Sequence, residues 1–137
     1  MDVINLAKQS LKQHEGERLK AYQCTAGKTT IGYGRNLDDK GISLKEAEYL
    51  LDNDIVECIQ DLATFSYWNK LSEYQQAALI DFRYNVGPGT YRSFKMMGKA
   101  LDMGDYTEAS YQLLHSKYHD DVGKRAETVA AWLLLKA

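Results

Sequence analysis

A chain of 137 residues, 45% hydrophobic and 26% charged, is expected to be one domain of ordinary globular composition. Its net charge of −2 argues against a generic nucleic-acid binder, which carries a basic excess. No run approaches the roughly 18 apolar residues of a membrane span, and Met1-Asp2-Val3-Ile4-Asn5 lacks the build of a signal peptide, so folding in the cytoplasm is expected.

Residues 2–14 carry Val3, Ile4, Leu6, Ala7 and Leu11 at helical spacing behind a capping Asp2. Gly16 ends this helix just past Glu15. A carboxylate in a last helical turn faces the negative end of the dipole, which favours its protonated form and suits a proton donor. Arg18 to Tyr22 then reads as an edge strand and Cys24-Thr25-Ala26-Gly27 as a turn. Thr29-Thr30-Ile31-Gly32-Tyr33-Gly34 is a strand broken by glycines, the pattern of backbone lying close to another backbone or a ligand.

Asn36 to Gly41 reads as a polar loop. Ser43 and Glu46 form a capping box, with Ile42 before it, that opens a helix over 43–63. Its stripe is Ala47, Leu51, Ile55, Cys58/Ile59 and Leu62, and its length suits a bridge between two lobes. The aromatics Phe65, Tyr67 and Trp68 are expected in the core. A second box, Ser72 with Gln75, opens a helix that stops at Gly87-Pro88-Gly89. Residues 90–101 and 105–119 are predicted as two shorter helices, and Lys124 to Lys136 as a last one capped by Asp120 or Asp121. His115 and His119, four apart on a predicted helix, have a chelating spacing but no third His or Cys nearby, so no metal and no cofactor are expected. Two cysteines are too few for a disulfide framework, and Cys58 is expected as a small core residue.

The run His14-Glu15-Gly16-Glu17-Arg18-Leu19, Tyr22, then Thr30-Ile31-Gly32-Tyr33-Gly34 resembles the phage-type muramidases, the family of the T-even phage lysozyme. Ala77 to Gly87 and Arg125-Ala126 extend the likeness over nearly the whole chain. The resemblance implies an α+β, mostly helical lysozyme-like fold in a single catalytic domain, 1–137. A small β-hairpin lobe, 13–45, and a helical lobe, 63–137, would be joined by helix 43–63, with a cleft between them. It implies Glu15 as general acid and Thr30 as a residue holding the attacking water. The position nine after Glu15, usually Asp, is here Cys24; a Cys-bearing branch of endolysins has the same departure. Tyr84 and Asn85 become substrate-binding candidates, with Arg35 as a further one.

Glycoside cleavage needs a proton for the leaving oxygen and stabilisation of an oxocarbenium-like centre. Across the sugar from Glu15, Cys24 has three open roles: a thiolate general base, a neutral group positioning water with Thr30, or, least favoured, a nucleophile. A free thiol is only about 3% ionised at neutral pH unless a cation assists, and Arg35 is the nearby cation. The family implies an endolysin cutting the β-1,4 bond between N-acetylmuramic acid and N-acetylglucosamine in peptidoglycan, monomeric and released from the host cytoplasm by a holin. No nucleic-acid or membrane partner is implied. The alternative is a catalytically weakened peptidoglycan-binding or structural relative, against which intact Glu15 and Thr30 argue.

Overall fold

The computed structural model describes residues 2–136. Its contacts divide the chain into two compact units, Met1–Tyr49 and Leu50–Ala137. The architecture is α+β, with helices throughout and one small sheet.

In the first unit, α1 (Val3–Glu15) starts where the Asp2 carboxylate accepts the Asn5 N–H at 2.8 Å. It stops at Gly16, whose φ of 74° an L side chain adopts poorly. The apolar spacing is helical as predicted, yet no residue of α1 is buried. Strands β1 (Arg18–Gln23), β2 (Thr29–Gly32) and β3 (Arg35–Asn36) form an antiparallel sheet in that order. Tyr22 pairs with Thr30 and Thr30 with Asn36, so Thr30 lies on the central strand; its side chain is buried. The expected polar loop at 36–41 is instead the end of β3 and a one-turn helix, α2 (Leu37–Lys40). Asn36 caps that turn through the Asp39 N–H at 3.0 Å, and Asp38 and Asp39 suit the positive end of its dipole.

Helix α3 (Leu44–Leu62) begins with the predicted box: Ser43 N–H donates to Glu46 Oε1 at 2.9 Å and Glu46 N–H to Ser43 Oγ at 3.1 Å. Of its apolar stripe only Cys58 and Leu62 are buried, so its C-terminal end alone enters a core.

That core belongs to the second unit. Tyr67 and Trp68, at a 3-10 turn (Trp68–Lys70), pack with Leu79, Phe82 and Tyr91 from α4 (Glu73–Ser93). Both sides of the Ser72–Gln75 box are formed. Gly87, at φ 85°, breaks α4 where the stop was predicted, and Pro88 restarts it, since a first-turn proline forgoes only an N–H that would have no partner. Residues 90–101 are therefore not one helix: α4 runs to Ser93 and α5 (Lys95–Asp102) follows Phe94. The span 105–119 is likewise divided into α6 (Tyr106–Leu114) and α7 (Lys117–Val122), because the chain leaves helical geometry at His115 and Ser116. His115 and His119 thus lose the one-helix spacing: His115 stacks on Tyr111 and His119 approaches Glu127. Helix α8 (Lys124–Trp132) follows Gly123 without a side-chain cap; Asp120 and Asp121 lie inside α7 instead. Both cysteines are free, and among the described residues no helix is long and apolar enough to cross a membrane.

Candidate active site

Glu15 sits on the last turn of α1, exposed, where Gly16 turns the chain into β1. The turn between β2 and β3 comes up beneath it. Gly34, φ 79°, leaves the space that the Glu15 carboxylate fills; a Cβ there would stand 2.8 Å from Oε2. Two neighbours tie the same turn to the helix end: Tyr33 OH donates to Glu17 Oε2 at 3.3 Å, and Lys12 Nζ lies 5.4 Å from the Tyr33 ring centre. The glycine pattern therefore marks a place where a side chain from another element rests on bare backbone.

Cys24 opens the β1–β2 turn. Its N–H donates to the Lys28 carbonyl at 2.9 Å, and Gly27 N–H donates to the Cys24 carbonyl at 2.8 Å. This tight turn aims backbone donors at the sulfur. The Lys28 N–H first, then the Ala26 N–H and the nearby Thr30 hydroxyl, hold the Cys24 thiol below its ordinary range, against a smaller opposing effect of burial. The Thr30 hydroxyl has one hydrogen, and the bond it forms runs to the Lys28 carbonyl at 2.9 Å. Its assistance to the sulfur is accordingly secondary. Sequence reasoning missed the Ala26 and Lys28 donors, because backbone N–H groups carry no side-chain signature.

Arg35 is placed differently from expectation. Its Nη1 and Nη2 grip Glu46 at 2.9 and 2.8 Å, and Nη1 also reaches the Gly41 carbonyl at 3.1 Å. Its guanidinium is paired with Glu46, and the groups that lower the Cys24 thiol are hydrogen-bond donors of the turn. Tyr84 and Asn85, both exposed, occupy the last turn of α4 before Gly87, in the second unit. Tyr84 also walls a shallow pocket with Asp54, Glu57, Cys58 and Arg83. Glu15, Cys24, Thr30 and Arg35 all lie in the first unit.

A helix-end glutamate over a small glycine-broken sheet, followed by a long helix and a helical core, is the α+β arrangement of a lysozyme-like fold. The Phage lysozyme family model matches residues 12–130. An endolysin of Acyrthosiphon pisum secondary endosymbiont phage 1 is 34% identical over 119 residues, 84% of this chain and 80% of that protein. A probable T4-type lysozyme 2 of Dictyostelium discoideum is 26% identical over 93% of this chain and 92% of its own. An endolysin of Bacillus phage B103 is 32% identical over 83% of this chain but only 44% of its own length. The chain belongs to the phage lysozyme family. Its function is that of a phage endolysin, a muramidase-type glycoside hydrolase, and peptidoglycan hydrolysis is the family's general activity.

Proposed function

We propose that the protein cuts the β-1,4 bond between N-acetylmuramic acid and N-acetylglucosamine, with Glu15 protonating the leaving oxygen. The observation that carries this reading is the Glu15 carboxylate resting on Gly34, in the turn that follows the hairpin bearing Cys24 and Thr30. A proton donor must be held in one place relative to the bond it breaks, and bare backbone beneath a carboxylate provides that seat.

Cys24 acts as the general base in its thiolate form, drawing a proton from the attacking water, and Thr30 holds that water. The donors facing the sulfur hold its pKa below the ordinary thiol range, which raises the share of thiolate at a given pH. Nucleophilic attack by sulfur is the weaker reading, since a thioglycoside would then need Glu15 to help release it. Tyr84 and Asn85 contribute substrate contacts from exposed positions, and Arg35 acts indirectly by holding β3 to the start of α3. The chain works as one catalytic domain, with lobes 13–45 and 63–137 linked by helix 43–63. It is a monomer, made in the host cytoplasm, and reaches the wall when a holin opens the path.

Clearing of a cell-wall suspension by purified protein, beside Glu15→Gln, tests the assignment. The variant is expected to fold and to lose activity by orders of magnitude. More than a tenth of wild-type activity in Glu15→Gln would remove Glu15 as the acid, and an inactive wild type would favour the weakened binding relative.

A further inference from the structure

One peptide group joins the two hairpin residues of the site. The Lys28 carbonyl accepts both the Cys24 N–H and the Thr30 hydroxyl, each at 2.9 Å. The same peptide unit ends in the Thr29 N–H. The β2–β3 ladder stops at Thr30 and Asn36, so β3 offers that N–H no partner. Asp38, on α2, supplies one: Thr29 N–H donates to Asp38 Oδ2 at 2.7 Å. Next to it, Lys28 Nζ pairs with Asp39 at 3.2 Å. The one-turn helix therefore grips the peptide 28–29 from the side opposite Cys24 and Thr30.

We infer that Asp38 is a positioning residue for the hydrolytic step, acting through the Lys28–Thr29 peptide on Cys24 and Thr30. A trans peptide is planar, so fixing its N–H fixes the direction of its C=O. A carboxylate on the N–H also polarises the unit and strengthens the carbonyl as an acceptor. With its only hydrogen given to that carbonyl, the Thr30 oxygen presents lone pairs and takes a hydrogen bond from the attacking water. The water's other hydrogen is then free for the Cys24 sulfur. Without Asp38 the peptide can tilt, the Thr30 hydroxyl is released to donate elsewhere, and the water loses its orientation.

The inference rests on the proposed roles of Cys24 and Thr30, and the experiment separates the two. Steady-state hydrolysis of soluble peptidoglycan fragments is compared for wild type, Asp38→Asn, Asp38→Ala, Asp38→Glu, Thr30→Ala and the Thr30→Ala/Asp38→Ala double variant. Asn keeps an acceptor in place and is expected to stay within about threefold of wild type. Ala removes the acceptor and Glu moves it by one methylene; each should lower kcat about tenfold or more with KM within twofold. Asp38→Ala should cost several-fold less once Thr30 is gone, because only the part of its effect that runs through Cys24 is left. If Asp38→Ala does not fold, Asp38→Glu carries the comparison. Folded Ala or Glu variants with wild-type kcat, or the same fold-loss with and without Thr30, would overturn the role of Asp38 while leaving the site intact. A fully active Thr30→Ala would overturn the site reading and this inference with it.

Discussion

The Glu15 carboxylate occupies the space that a side chain at Gly34 would need, with Oε2 only 2.8 Å from where a Cβ would stand. Two effects meet at this glycine. Its φ of 79° costs an L residue about 1–2 kcal/mol, and any methyl group must push the carboxylate aside. Gly34→Ala is expected to lower Tm by only a few degrees but to cut wall clearing by about 100-fold, as a displacement of the order of 1 Å does to a catalytic group. A folded Gly34→Ala enzyme with a third of wild-type activity would show that Glu15 does not need this seat.

Asp61 holds the second unit together at the end of α3. It accepts from Arg92 Nη2 at 2.6 Å and Nη1 at 3.0 Å, and from Arg83 Nε at 2.9 Å. Arg92 first, then Arg83, bring its pKa down from 3.8 to about 2. A carboxylate with a depressed folded-state pKa stabilises the fold above its unfolded value and loses that contribution as pH falls through the folded one. The loss therefore runs from about pH 4 to about 2. Allowing for solvent screening, it is on the order of 1–2 kcal/mol. Asp61→Asn strands the mostly buried Arg83 charge and should cost about 2–4 kcal/mol at pH 7. Denaturant unfolding at pH 7 and pH 2.5 checks the sign: the gap between wild type and variant should narrow in acid.

Caps and glycines made much of this fold legible before the structure. Ser43 with Glu46, Ser72 with Gln75, Gly16 and Gly87 all punctuate where their chemistry says they should, because each acts on backbone within four residues. The helical half was less legible past Ser93. The stops at Phe94 and His115 carry no glycine or proline, so nothing local announces them. In the proposed site, Glu15, Cys24 and Thr30 were singled out by motif spacing alone. The grip of Asp38 on Thr29, the seat at Gly34 and the engagement of Arg35 by Glu46 depend on how α1, α2 and α3 meet the sheet. Side-chain type along the chain does not encode those meetings.

Glu46 serves two elements at once, capping α3 through Ser43 and clamping β3 through Arg35. Arg35 chiefly, and Ser43 after it, bring its pKa from 4.5 to about 2. By the same sign, its contribution is complete above about pH 4.5 and disappears toward about 2. Arg35→Lys replaces a two-pronged contact with a point charge and also gives up the Gly41 carbonyl. The expected outcome is a lower Tm at pH 7 and little difference from wild type at pH 2. Alkylation of Cys24 should keep its pH midpoint, because the groups that lower this thiol are the turn's hydrogen-bond donors. A midpoint raised in Arg35→Lys would return Arg35 to the role of the cation that assists the thiolate.

Cys24 gives the sharpest test of the hydrolytic half of the mechanism. Its thiol is held below the ordinary thiol range by the Lys28 and Ala26 backbone donors and, less, by Thr30. If the thiolate is the base, wall clearing rises with pH through a midpoint below that of a free thiol, and iodoacetamide alkylation abolishes clearing with the same midpoint. Cys24→Asp places a carboxylate among the same donors, so activity should persist with its lower limb moved to acid pH. Cys24→Ser keeps a group that can touch water but not ionise, and should lose about 100-fold or more, the range of a missing general base. A Ser variant that stays substantially active without the alkaline rise would make the neutral thiol a positioning group instead. Cys24→Ala clearing walls as fast as wild type at every pH would take residue 24 out of the reaction and leave water activation to Thr30.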